Sequence, residues 1–123
     1  MSELLLIIAG GGIGSACRYL LSTFANRHFG DSFAWGTMTV NLLGCLIIGF
    51  LVGLVDRSIL SKTYRLFLIT GFLGGFTTFS SFSIESIGMI LEGSLGKGLL
   101  NIGVNVVLGL GLTLIGLLAA ARI

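Results

Sequence analysis

The chain has 123 residues, of which 54% are hydrophobic and only 10% charged, with 20 glycines, no proline and a net charge of +2. An average soluble domain carries roughly 25% charged residues, and a mean hydropathy of +1.08 points the same way. A soluble fold, a disordered chain and a coiled coil are excluded, and seven basic against five acidic residues are too few for a nucleic-acid-binding surface.

The charges fall in clusters and leave uncharged runs at residues 4–17, 32–55, 66–84 and 98–121. A bilayer core about 30 Å thick needs about 20 mostly apolar helical residues. The second and fourth runs meet that length alone. The first does so if Arg18 is tolerated near its far end, and the third ends at Glu85. Four spanning helices are predicted near residues 3–25, 35–55, 63–91 and 97–121, in one domain covering 1–123. The short connections leave no room for a soluble domain. The first span does not read as a cleavable signal, because Glu3 stands where a basic region belongs.

In the first span, Gly10/Gly14 and Gly12/Ala16 have the small-xxx-small spacing that lets helix backbones approach in lipid; Gly49/Gly53 and Gly71/Gly75 repeat it later. No nucleotide-binding glycine motif is present. Cys17 and Cys45 lie inside spans and read as reduced small hydrophobes. His28, next to Arg27, reads as a solvated connection residue. Trp35 and Tyr64 begin the second and third spans, where interfacial aromatics belong.

With four spans, the N-terminus, the second connection and the C-terminus share a side. That side holds Arg57, Lys62, Arg65 and Arg122; the other holds Arg27 and Lys97, or three if Arg18 counts. The bias is weak. Either the termini face the cytoplasm or the protein inserts both ways.

The third span is a poor helix in its middle: Gly71-Phe-Leu-Gly-Gly-Phe-Thr-Thr-Phe-Ser-Ser-Phe-Ser83. Glycines are costly in a helix interior, and Ser and Thr hydroxyls compete for backbone groups. A break is expected near Gly74–Thr78. Irregular backbone at membrane depth survives only when buried in protein or lining a wet cavity. Freed carbonyls suit a cation, and freed N–H groups suit an anion. Phe72, Phe76, Phe79 and Phe82 step by four, three and three along one side of a helix. They form either a packing stripe or, with hydroxyls between them, a path of positive ring edges suited to a small anion.

Asn41 and Thr37 in the second span, Glu85 in the third and Asn101 and Asn105 in the fourth are polar groups inside the membrane. Each is either an interhelical hydrogen-bonding group or part of a functional path. Arg18 either snorkels to the interface or serves such a path.

Three segments resemble the bacterial fluoride channels, the Fluc or CrcB family. They are Gly-Gly-Gly-Ile-Gly-Ser-Ala-Cys-Arg-Tyr at 10–19, Gly-Thr-Met-Thr-Val-Asn-Leu-Leu-Gly at 36–44, and Gly-Phe-Leu-Gly-Gly-Phe-Thr-Thr-Phe-Ser-Ser-Phe-Ser-Ile-Glu at 71–85. The third is the most specific. The resemblance implies an all-α, four-helix membrane protein of the bacterial inner membrane, assembled as an antiparallel dual-topology homodimer with two fluoride pores. It implies that Phe79, Phe82, Asn41, Thr37, Ser81 and Glu85 line the pore and that Arg18 lies in the vestibule. It also implies that backbone carbonyls of Gly74 and Thr77 hold a structural Na⁺ at the dimer centre. No role for Asn101 or Asn105 follows from it. The implied partners are a second copy, fluoride and the lipid bilayer, with no nucleic acid and no soluble protein.

The expected function is passive, selective fluoride export, without enzymatic chemistry. A small multidrug exporter has similar length, but needs a carboxylate in its first helix, where this chain has Arg18. A non-transporting assembly subunit, whose glycines and phenylalanines only pack against partners, is the other rival.

Overall fold

The structure, a computed structural model, describes residues 2–123. It is helical, with no strand among the described residues. Four helices are long and apolar enough to cross a membrane: α1 (Ser2–Phe29), α2 (Trp35–Asp56), α3 (Lys62–Leu91) and α4 (Leu95–Ala120). The protein is a multi-pass membrane protein by that measure. The first helix runs four residues past its expected end at residue 25 and stops at Gly30. Gly30 takes φ +92° and its N–H returns to the Asn26 carbonyl at 2.8 Å, a left-handed stop that glycine adopts freely.

Polar ties fix the helix directions. Lys62 Nζ meets Glu3 Oε1 at 2.6 Å, joining the starts of α1 and α3. Arg57 donates to the Ala121 carbonyl at 3.3 Å, joining the ends of α2 and α4. At the opposite end the Gly36 N–H donates to Asn26 Oδ1 at 2.8 Å, and Lys97 donates to the Ser32 carbonyl at 3.1 Å. Thus α1 runs parallel to α3, α2 runs parallel to α4, and the two pairs are antiparallel.

Small residues make the crossings. A Cβ at Gly10 or Gly14 would fall onto the Phe67 or Phe72 carbonyl, and one at Gly49 onto the Thr113 carbonyl. These glycines let α1 meet α3 and α2 meet α4 backbone to backbone. Gly12 has nothing near it and Ala16 is exposed. That small-residue pair therefore packs against nothing within this chain.

The distribution of side chains is that of a protein in lipid. Val40, Leu73 and Phe76 form a small buried cluster, with Cys17, Leu21 and Ile48 among the residues against it. Many large apolar side chains, among them Ile8, Leu20, Val107 and Leu118, point outward. The interior instead holds Gly, Thr, Ser86 and Asn101. Lipid supplies no hydrophobic drive to bury Leu, so close backbone packing and satisfied polar groups take that role.

The third helix is irregular. It is wound as a π-helix over Arg65–Leu73, makes one α turn at Gly74–Phe76, and resumes as α-helix over Phe79–Leu91. Thr77 (φ −86°, ψ 158°) and Thr78 (φ −149°, ψ 115°) between them are extended. The Gly74–Gly75 pair, expected in the interruption, is helical. The reason is packing: a Cβ at Gly75 would fall onto the Gly11 carbonyl of α1. The β-branched threonines carry the extended backbone instead, a conformation they favour.

Candidate functional site

Three helices converge on the extended threonines. From α2, Asn41 grips the Thr78 peptide on both sides: Thr78 N–H donates to Asn41 Oδ1 at 2.8 Å, and Asn41 Nδ2 donates to the Thr78 carbonyl at 3.0 Å. A side-chain amide thus replaces the neighbouring helical turn. From α1, Arg18 donates to the Thr77 carbonyl at 3.4 Å. From α4, Asn105 Oδ1 lies 3.5 Å from Asn41 Nδ2.

The threonines manage the rest of the interruption locally. The Thr77 hydroxyl donates back to the Leu73 carbonyl at 3.0 Å. The Thr78 hydroxyl accepts the Ser81 N–H at 3.2 Å and so caps the restarting helix. Two carbonyls lose their helical donors as a result. Thr78 N–H, which an unbroken helix would direct to Gly74, goes to Asn41. Ser81 N–H, which it would direct to Thr77, goes to the Thr78 hydroxyl. Freed backbone carbonyls are the hard oxygen donors that suit Na⁺; the Gly74 carbonyl fits such an ion chemically, and the Thr77 carbonyl does so only in competition with its long bond from Arg18. Gly74 is also exposed on the outer face of the chain. Among the described residues no cluster of His, Cys, Asp and Glu could hold a metal through side chains.

The phenylalanines do not form one stripe. The extended threonines interrupt the helical period and turn them into two pairs. Phe72 and Phe76 stack at 5.5 Å, and Phe76 belongs to the buried cluster. Phe79 and Phe82 pair at 5.4 Å with planes 52° apart. Phe82 is 8% exposed and Phe79 is 80% exposed, although both sit deep in the span by sequence.

The expected site residues divide between two cavities. Asn41, Gly74, Thr77, Phe79 and Phe82 line a groove of about 470 Å³, together with Asn105. Arg18, Thr37, Ser81 and Glu85 line a second cavity of about 280 Å³, with Ser15 and Asn26. Thr78 lines both. Glu85 and Asn26 also reach a third, polar cavity beside Asp31, Glu92 and Lys97 at the connection end.

Charges in the second cavity are handled separately. Glu85 Oε1 accepts the Thr37 hydroxyl at 2.7 Å, tying α2 to the second half of α3. Arg18 makes no ion pair among the described residues. Its guanidinium lines the cavity as an unpaired positive group.

Asn26 and Ser86 were not singled out from the sequence, and Thr78 was named only as the edge of the expected break. Thr78 carries a readable signal, since a threonine followed by a hydroxyl-rich helical run is an N-cap pattern. The roles of Asn26 and Ser86 rest on long-range contacts and carry no such signal.

The class is now defined: a helical, multi-pass membrane protein whose polar residues converge on an irregular stretch of one span. Residues 5–117 match the family described as CrcB-like protein, Camphor Resistance (CrcB), and the chain belongs to that family. Among its relatives is a fluoride-specific ion channel FluC of Rhizobium etli, 44% identical over 118 residues, covering 95% of this chain and 94% of the relative. Another, from Maridesulfovibrio salexigens, is 43% identical over 124 residues and covers 100% of this chain and 98% of the relative. A third, from Clostridium perfringens, is 44% identical over 109 residues, 85% of each chain. The family is one of ion channels, not enzymes.

Proposed function

We propose that this chain is one half of a fluoride-selective channel that passively exports fluoride across the bacterial inner membrane. The observation that carries the reading is the groove lined by Phe79, Phe82, Asn41 and Thr78, which runs along the outside of a single chain. Phe79 in particular is uncovered. A conducting path cannot be left open to lipid, so a second copy closes it. The near-even distribution of basic residues between the two sides suits an antiparallel, dual-topology homodimer, in which each of two pores takes residues from both subunits.

Fluoride is small and strongly hydrated, and the pore must replace its water with close donors. Asn41 offers amide hydrogens, Ser81 a hydroxyl, and Phe79 and Phe82 the positive edges of their rings. Arg18 draws anions toward the second cavity. Thr37 acts indirectly, because its hydrogen is committed to Glu85. A structural Na⁺ between the subunits, near the bilayer midplane, would be held by the freed carbonyls of Gly74 and Thr77 from both copies. Its positive charge would offset the cost of nearby anions. The physiological logic is that HF enters, dissociates and is trapped, while the membrane potential drives the anion out.

The test is efflux from liposomes loaded with fluoride or chloride, followed by ion-selective electrodes. Fast fluoride release with little chloride is expected, and Phe79→Ile and Phe82→Ile should each slow it. Equal release of both ions, or unchanged flux in both variants, would refute the reading.

A further inference from the structure

The polar residues of α4 are not used by the channel reading, yet they are among the best-ordered by hydrogen bonding. Asn105 Nδ2 donates to Asn101 Oδ1 at 3.0 Å and to the Asn101 carbonyl at 2.8 Å. Asn101 Nδ2 donates to Ser86 Oγ at 2.8 Å. Asn101 is 0% exposed and Ser86 is buried with it. Since Ser86 belongs to the second half of α3, the chain of amides is anchored across two helices and not only within one.

This chain has a forced direction. An amide offers donors at one end and an acceptor at the other. If the Asn105 amide were turned over, its oxygen would confront two oxygens of Asn101, and its NH₂ would confront the NH₂ of Asn41. The anchored arrangement therefore leaves the Asn105 oxygen facing Asn41 and nothing else.

The links differ in strength. At 2.8 to 3.0 Å the buried end is well made, whereas the Asn41–Asn105 contact at 3.5 Å lies at the outer limit for a hydrogen bond. The other Nδ2 hydrogen of Asn41 and one lone pair of its oxygen are held firmly by the Thr78 backbone. One Asn41 hydrogen is thus loosely held, and both asparagines line the groove that contains Phe79 and Phe82.

We propose that Asn105 is a positioning residue: its anchored oxygen aims the loosely held Nδ2 hydrogen of Asn41 into the Phe79–Phe82 groove and is the acceptor that an entering fluoride displaces. The inference rests on the fluoride-channel reading. An ionised acceptor makes a shorter and stronger hydrogen bond than a neutral amide oxygen, so the exchange is downhill once the anion is dehydrated. The amide oxygen keeps the hydrogen aimed while the groove is empty. A hydrogen already aimed needs little reorganisation when the ion arrives.

The experiment is a double-mutant cycle on full-length protein in liposomes, with Asn41→Ala, Asn105→Ala and the pair. Asn105→Ala should slow fluoride efflux about tenfold, the equivalent of one lost hydrogen bond. The double variant should match Asn41→Ala within about twofold, because Asn105 acts through Asn41. Multiplied losses would mean that Asn105 meets the ion on its own and would overturn the proposal, as would unchanged flux in Asn105→Ala.

A second readout does not depend on conduction. The Asn41 side-chain amide resonance, assigned by its absence in Asn41→Ala, should move in Asn105→Ala without any ion. In the wild type it should move with NaF and not with NaCl. If Asn105→Ala leaves that resonance in place, the contact is absent and the proposal fails. If the wild type conducts no fluoride while Asn105→Ala still moves the resonance, the channel reading fails and the aiming contact stands. Asn105→Ser serves as a smaller perturbation should the alanine variant not fold, with a resonance shift of the same sign expected.

Discussion

The adjacent glycines Gly74 and Gly75 should respond in opposite ways to the same added methyl group. Gly75 faces α1. A Cβ there would lie 2.9 Å from Ser15 Oγ and 3.1 Å from the Gly11 carbonyl carbon, and closer still to the Gly11 carbonyl oxygen. Comfortable contact begins at about 3.5 Å, and the obstacle is mostly backbone, which cannot swing aside. Helices α1 and α3 must part by about 1 Å for the Gly11 carbonyl oxygen to reach that distance. This also loosens the Gly10 and Gly71 contacts on the same crossing. Overpacking of this kind costs about 1–3 kcal/mol. Gly74 is helical, exposed, and has nothing within 4 Å, so alanine there should favour the helix by about 0.5–1 kcal/mol within a single chain. The assay is unfolding of monomeric protein in mixed detergent titrated with SDS, following loss of helix by circular dichroism. Gly75→Ala should unfold at lower SDS fraction than the wild type, and Gly74→Ala at equal or higher. Dimerisation is scored separately by cross-linking, where Gly74→Ala should show its defect if the proposed second copy covers that face. Equal loss of monomer stability in both variants would refute the packing argument.

Three further outcomes follow from named contacts. Asn41→Leu removes both bonds to the Thr78 peptide, and the cheapest repair is for Thr78 N–H to return to the Gly74 carbonyl. Thr77 and Thr78 Cα chemical shifts should therefore move from extended toward helical values, and persistence of extended shifts would contradict this. Thr78→Val keeps the shape but removes the cap on Phe79–Leu91, so helix stability should fall by about 1 kcal/mol in the same SDS titration. Glu3→Gln breaks an ion pair whose partners are 66% and 58% exposed, and should leave the SDS midpoint nearly unchanged; a large loss would show that the pair is buried in the assembly.

Much of the architecture was legible because charges and membrane thickness together dictate it. Glu3, Arg57, Lys62, Glu92 and Lys97 mark helix ends, and four spans follow from the gaps between charged clusters. Arg27 misled slightly, since α1 continues through it to Phe29; a helix does not need to end where the hydrocarbon does. The irregular third span was legible in its composition but not in its detail. Glycine's cost in a helix is a local property, whereas the need for Gly75 is set by a carbonyl on a helix about 60 positions earlier. For the same reason the phenylalanine stripe read as continuous. Nor could spacing reveal that Asn41 would close on a peptide 37 residues away, or that Arg18 and Glu85 would share a cavity separate from the Phe79–Phe82 groove.

Donor accounting narrows the path an anion can take in the proposed channel. Several groups that look available in the sequence are already committed. The Thr37 hydrogen goes to Glu85, and the Thr77 hydrogen goes to the Leu73 carbonyl. The Ser81 N–H goes to the Thr78 hydroxyl, and one Asn41 hydrogen goes to the Thr78 carbonyl. In the groove itself, one loosely held amide hydrogen, the Thr78 hydroxyl hydrogen, which has only a 3.4 Å contact to Ser80 Oγ, and the two ring edges remain. On the Arg18 side of Thr78, the guanidinium, the Ser15 and Ser81 hydroxyls and the Asn26 amide hydrogens remain. Lining a pore with many strong donors would hold fluoride too tightly for it to leave, since conduction needs binding favourable enough to enter and weak enough to exit. Ring edges are weak donors, and placed where strong ones are spent they soften the site. On this reasoning Phe79→Ser, which substitutes a stronger donor, should bind fluoride more tightly yet conduct it more slowly. Faster conduction with the same selectivity would show that donor strength, and not its restraint, limits the flux.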